Sequence, residues 1–191
     1  MTTPISPSAD PVARTRADAH GLVIVNTGNG KGKTTAALGM LLRSWGRGMQ
    51  VCAIQFIKNE GARFGEHLAA KKLGIELVST GDGFTWLSKD LDHSAELAQH
   101  GWKIAQERIA SDKYDLILLD EITHCFTYGW LKFSDVREWL DKNKPSRLHL
   151  VFTGRNASDD LIAYADLVTE MTLIKHPYQD CGLKAQPGVE F

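Results

Sequence analysis

Leu22, Val23, Ile24 and Val25 form an apolar run that feeds straight into Asn26-Thr27-Gly28-Asn29-Gly30-Lys31-Gly32-Lys33-Thr34-Thr35. A helical pattern of apolar residues follows, with Ala36, Ala37, Leu38, Met40, Leu41 and Leu42. Strand, glycine-rich turn and helix in that order make a phosphate-binding loop. Glycines admit positive φ, so successive N–H groups turn into one hollow at the start of a helix, where the dipole and unpaired donors favour an anion. Lys33 is placed to reach the outer phosphates, and the Thr34 hydroxyl to ligate Mg²⁺. The common form G-x-x-x-x-G-K-[ST] wants glycine at position 27, where Thr27 stands, so the loop is shifted and carries an additional cation at Lys31.

A chain built on such a unit must bury its strands between helices. Further apolar runs at 51–57, 75–78, 116–119, 148–152 and 168–174 join 22–25 as expected strands, several apolar at consecutive positions, as strands covered on both faces are. Between them, 34–45, 64–73, 92–109, 134–140 and 158–165 carry apolar residues at helical spacing. The alternation predicts an α/β fold: a mostly parallel sheet with right-handed crossovers and helices on both sides. Ligands of such sheets sit beyond the carboxyl ends of the strands, so the chemistry belongs to the segments that follow them.

With 191 residues, 43% of them hydrophobic, the chain suits a single domain at 21–191. Residues 1–20, with Pro4, Pro7 and Pro11 among small polar residues, read as a flexible arm. A formal net charge of -1 argues against nucleic acid as the partner. No run reaches the roughly 20 apolar residues a membrane span needs, so a cytoplasmic protein is expected. Cys52, Cys125 and Cys181 form no C-x-x-C pair, which suits a reducing compartment.

Asp120 and Glu121 close the apolar run at 116–119, the arrangement in which a strand-end carboxylate faces the loop threonine across Mg²⁺. Spacing leaves open which acid touches the metal, and leaves open helix capping by both. Glu121, His124 and Cys125 are the residues of a weaker, transition-metal alternative. Phe84 and Trp86 alternate in a turn flanked by Gly81 and Gly83, either as core or as a face for a flat apolar ligand. Arg155 follows Gly154 at a strand end, Arg43 lies on the helix after the loop, and Gln55 and Lys58 leave the second strand. Each is either a cleft residue or a solvated one.

Taken in order, Thr27 to Ala37, Gln55-Phe56-Ile57-Lys58, Gly83-Phe84-Thr85-Trp86, Leu118-Leu119-Asp120-Glu121, Thr153-Gly154-Arg155, Val168-Thr169-Glu170, Lys175-His176 and Lys184-Ala185-Gln186 resemble the ATP:corrinoid adenosyltransferases of the bacterial phosphate-loop type. The resemblance runs from about residue 21 onward. It implies a three-layer P-loop NTPase-like (RecA-like) fold that transfers the 5'-deoxyadenosyl group of ATP to the Co(I) centre of a corrinoid and releases triphosphate. The corrinoid is cobalamin, cobinamide or cobyrinic acid diamide, in biosynthesis or salvage. The family binds ATP reversed relative to other phosphate-loop enzymes, which suits the shifted loop.

The resemblance further implies residue roles. Gly28, Asn29, Gly30, Lys31, Gly32, Lys33, Thr34, Thr35, Arg43 and Arg155 would hold the nucleotide, Lys33 and Lys31 stabilising charge on the leaving triphosphate. Thr34 and Glu121 would contact Mg²⁺, with Asp120 as a second or water-mediated partner. Phe84 and Trp86 would pack against the corrin and displace its lower axial ligand, easing reduction by a cellular flavoprotein. The family forms homodimers, and its N-terminal segment folds over the corrinoid; the arm of this chain and Pro187 depart from that pattern. Competing readings are a P-loop ATPase, a small-molecule kinase, and a corrinoid-binding module without turnover.

Overall fold

The consecutive apolar runs do form strands that are covered on both faces, because alternate side chains of each run feed two separate cores. In the computed structural model, which describes residues 20–59, 64–81 and 91–190, the strands are β1 (Val23–Thr27), β2 (Val51–Asn59), β3 (Glu76–Gly81), β4 (Leu116–Asp120), β5 (His149–Thr153) and β6 (Leu167–Glu170). The helices are α1 (Lys33–Gly46), α2 (Gly65–Leu73), α3 (Leu91–Ala110), α4 (Ile122–Thr127), α5 (Phe133–Asn143), α6 (Asp159–Tyr164) and α7 (Pro177–Cys181). They build one parallel six-stranded sheet in the order β3-β2-β4-β5-β1-β6.

On one face, Val25, Ile54, Leu119 and Phe152 pack with Ala105 of α3, Val136 and Leu140 of α5 and Leu161 of α6. On the other, Ile24, Ala53, Leu118 and Val151 pack with Ala37 and Leu41 of α1. A helix on each side of a parallel sheet puts all strand ends that carry ligand chemistry on one rim. No helix among the described residues is long and apolar enough to cross a membrane.

Beyond shifts of up to three residues at element ends, three elements differ from the sequence expectation. The last strand ends at Glu170 rather than 174, because the Met171 backbone leaves the sheet and turns under the phosphate loop, its carbonyl accepting from Gly30 N at 2.6 Å. As the edge strand it is also largely exposed rather than covered. Helices α4 and α7, of 6 and 5 residues, are too short to show a period of 3.6 and were not expected.

The amino end of the sheet is tied by side chains that cap backbone groups. Asp115 Oδ2 accepts from Gln50 N at 2.9 Å, Asp166 Oδ2 from Val23 N at 2.8 Å, and His149 Nδ1 from Leu22 N at 3.0 Å. These bonds satisfy strand-entry donors that no neighbouring strand reaches.

Candidate active site

Helix α1 starts at Lys33 with no side-chain cap, leaving its first N–H groups directed at the hollow of the loop. The Lys33 side chain is buried, and its Nζ donates to Gly28 O at 2.9 Å and Gly30 O at 2.8 Å. Burial lowers its pKa below the ordinary lysine value, Glu121 pulls the other way, and the charge of Arg155 lowers it further. The loop thus folds its own cation inward.

The shift of the loop has a structural basis. Thr27, in the place usually held by glycine, is buried and its Oγ1 accepts from Ala157 N at 3.1 Å, tying the loop to the segment after β5. Gly28 and Gly30 are required for another reason than phosphate approach: a Cβ on either would fall 2.5 or 2.7 Å from Met171 O. They let the strand that leaves the sheet pass directly beneath the loop, and the Gly30 N–H is taken by Met171.

At the ends of β4 and β5 the polar groups hold one another. Asp120 is fully buried; Gln55 Nε2 donates to its Oδ2 at 2.9 Å, and Thr153 Oγ1 donates to its Oδ1 at 2.7 Å. Thr153 Oγ1 in turn accepts from Glu121 N at 2.9 Å. Behind Gln55, Ser79 Oγ donates to Gln55 Oε1 at 3.4 Å, and His67 Nε2 lies 2.8 Å from Ser79 Oγ, carrying the chain of contacts to β3 and α2. Burial raises the Asp120 pKa more than Lys58, 4.0 Å away, draws it down.

Glu121 has a different environment. It adopts φ 61 between β4 and α4, a left-handed conformation rare outside glycine. His124 Nε2 sits 2.9 Å from Oε2, and that buried oxygen has no other hydrogen-bond partner among the described residues. Burial works against its charge, yet His124, Lys33 and Lys58 together hold the carboxyl below its usual range. Gly154, at φ 134, makes the room: a Cβ there would collide with Thr123 Oγ1 and lie 3.3 Å from Glu121 Oε2. The space that a side chain at Gly154 would fill is taken by these two protein side chains.

The structure brings together Gly28, Gly30, Gly32, Lys33 and Thr34 from the loop with Asp120 and Glu121, and Thr34 couples to the Asp120 side chain. Asn29, Lys31 and Thr35 lie exposed around them. Arg155 is exposed beside the loop, close enough for its charge to act on Lys33. Arg43 is not brought there: it is exposed in the last turn of α1, ten residues and about 15 Å of helix from Lys33. Phe84 and Trp86 lie outside the described residues. Lys58 pairs with Glu66 and stands over the Phe64 ring.

Cys125 belongs to the core, its thiol pushed up to about 12 by burial, and among the described residues no three His, Cys, Asp or Glu side chains are grouped to hold a metal ion, Glu121, His124 and Cys125 included. The bridging hydroxyl of Thr153 was not foreseen, although a threonine closing an apolar run is a signal, since a buried hydroxyl needs a partner.

Comparison with known proteins agrees with this fold. A crystal structure of the flagellar accessory protein FlaH from Methanocaldococcus jannaschii shares the fold, with a TM-score of 0.56 at 11% identity over 83% of this chain and 77% of that one. A corrinoid adenosyltransferase of Sinorhizobium sp is 43% identical over 182 residues, covering 94% of this chain and 85% of the relative. Those of Pseudomonas aeruginosa and Escherichia coli are 39% and 36% identical, each over 91% of this chain and over 85% and 87% of their own length. The sequence model for ATP:corrinoid adenosyltransferase BtuR/CobO/CobP matches residues 19–191. The chain therefore belongs to the ATP:corrinoid adenosyltransferase BtuR/CobO/CobP family.

Proposed function

We propose that this chain is a transferase that moves the 5'-deoxyadenosyl group of ATP onto the Co(I) centre of a corrinoid and releases inorganic triphosphate. The observation that carries the reading is the meeting of Lys33 with Asp120 and Glu121 at the rim of the sheet, in a chain that the family matches from residue 19 onward. Co(I) supplies the electron pair that bonds to C5', the C5'–O bond breaks, and its pair leaves with triphosphate. The protein then needs no nucleophile of its own.

What the chain contributes is electrostatic. Lys33 exchanges two loop carbonyls for phosphate oxygens, and the uncapped N–H groups at the start of α1 receive the same charge. Because these dipoles are fixed before the ligand arrives, they favour the transition state, where charge on the leaving group is greatest.

The residues present fit Mg²⁺. Glu121 Oε2 is a buried oxygen approached only by His124 among the described residues, whereas both oxygens of Asp120 accept from neighbouring side chains. On this reading Glu121 and the Thr34 hydroxyl contact the ion directly, with Asp120 acting through Thr34 or a water. When bound, the ion would neutralise charge building on the leaving triphosphate.

Phe84 and Trp86 are assigned the corrin face, where displacing the lower axial ligand would ease reduction to Co(I) by a flavoprotein. A homodimeric, cytoplasmic enzyme with one domain at 21–191 and an arm at 1–20 belongs to the same reading. Mixing protein, Mg²⁺, ATP and chemically reduced cob(I)alamin in the dark tests it. A light-sensitive alkylcobalt spectrum with stoichiometric triphosphate is expected; ADP and phosphate as the products would replace the transferase with an ATPase or kinase.

A further inference from the structure

Both cations of the phosphate loop are engaged by oxygens of the protein itself. Lys33 turns inward to Gly28 O and Gly30 O. Lys31 turns outward, and its Nζ donates to Glu190 Oε2 at 2.7 Å, across a sequence separation of 159 residues. The Lys31 side chain is 48% exposed and that of Glu190 20% exposed, so the acid rather than the lysine is the more enclosed partner.

The segment after α7 is shaped to present this carboxylate. Val189 N and Glu190 N both donate to Gln186 O, at 3.2 and 3.0 Å, and Gln186 Nε2 donates to Lys184 O at 2.8 Å. The resulting turn meets the loop at Lys31, while Met171 lies against Gly28 and Gly30. One stretch of chain, 171–190, therefore grips the loop twice.

We infer that Glu190 is an intramolecular competitor of the triphosphate: its carboxylate pairs with Lys31 and must be released for Lys31 to reach a phosphate. The inference deepens the proposed function and rests on its reading of the loop as a triphosphate site. A triphosphate carries several charges against one on Glu190, so the ligand prevails when present, at a weakened apparent affinity. The pair lies at the surface, where such contacts are weak and sensitive to salt. The residue then sets how much nucleotide is needed to load the site, without touching the reacting atoms.

The test is calorimetric titration of inorganic triphosphate and of Mg²⁺-ATP into wild type, Glu190→Gln, Lys31→Ala and the double variant, with no corrinoid present. Removing the charge of Glu190 should tighten triphosphate binding about three- to fivefold at low salt, the range open to an exposed ion pair. The gain should vanish in the Lys31→Ala background and shrink as salt is raised. Unchanged or weaker binding by Glu190→Gln overturns the inference, as does an equal gain without Lys31. Failure of every protein to bind triphosphate would instead sink the loop reading, and this inference with it. Binding without adenosyl transfer would leave the competitor standing and remove only the proposed reaction.

Discussion

The two ends of the sheet are built from similar residues used in opposite ways. At the amino end Asp115, Asp166 and His149 each accept from a backbone N–H, and the positive-φ residues Gly48, Gly74 and Asp112 lie just beyond the carboxyl ends of α1, α2 and α3, where such conformations commonly end helices. At the carboxyl end Gln55, Asp120 and Thr153 hold one another, and left-handed residues, Gly32 and Glu121, begin helices instead. One end uses its side chains to satisfy backbone donors; the other holds a buried carboxylate near a lysine folded in on its own loop. On the proposed function, stability and function are separated along the strand direction.

The sharpest way to break that separation is Lys33→Ala. If the carboxyl end is functional, adenosylation measured by the alkylcobalt absorbance should fall at least about 100-fold, as when a leaving-group or oxyanion donor is lost. The melting temperature should hold, since a buried lysine with a lowered pKa is removed. A large loss of stability would make Lys33 a structural residue.

Thr153→Val should have an intermediate effect. It leaves Asp120 Oδ1 and Glu121 N without their partner, so half-saturating Mg²⁺ should rise about tenfold, the usual scale for an outer-shell partner of a metal ligand. Thermal unfolding should show a cost of about 1–3 kcal/mol. An unchanged Mg²⁺ requirement would disconnect Thr153 from the site.

The smallest effect is expected at the other end and concerns pH. Burial, with Lys144 nearby, lowers the His149 pKa, and its Nδ1 is an acceptor for Leu22 N, so the folded state holds the neutral ring. Between the lowered folded value and the unfolded value of about 6.5 the unfolded chain binds more protons, so stability rises with pH there and is lost as pH falls. Urea unfolding at stepped pH should show this acid-side loss, and His149→Asn should flatten it while kcat/KM stays within about twofold of wild type, a range that surface-scale changes respect. An altered kcat/KM would mean the two ends are coupled.

Much of the carboxyl end was legible in the sequence, because a phosphate loop is local: eight neighbouring residues specify turn, helix start and cation together. Asp120 and Glu121 were legible from their place after an apolar run. Their division of labour was not, since it depends on Gln55 and Thr153 arriving from β2 and β5. The purpose of Gly28 and Gly30 was hidden likewise, because what they make way for lies some 140 residues on, at Met171. Glu190 gave no sign at all: a lone glutamate in a polar segment has no periodicity to reveal its partner. The length of β6 was overread because the run at 168–174 stays apolar after the chain has left the sheet.

Strand β5 lies between β1, which carries the loop, and β4, which carries the acids. Neighbouring strands stand about 4.8 Å apart, so the two carriers are held roughly 10 Å from each other by the sheet itself. Neither can drift toward the other without breaking the backbone ladder of β5. A ligand spanning that interval acts as a keystone: it is measured by a fixed ruler, and once seated it joins two strands that otherwise share no direct bond.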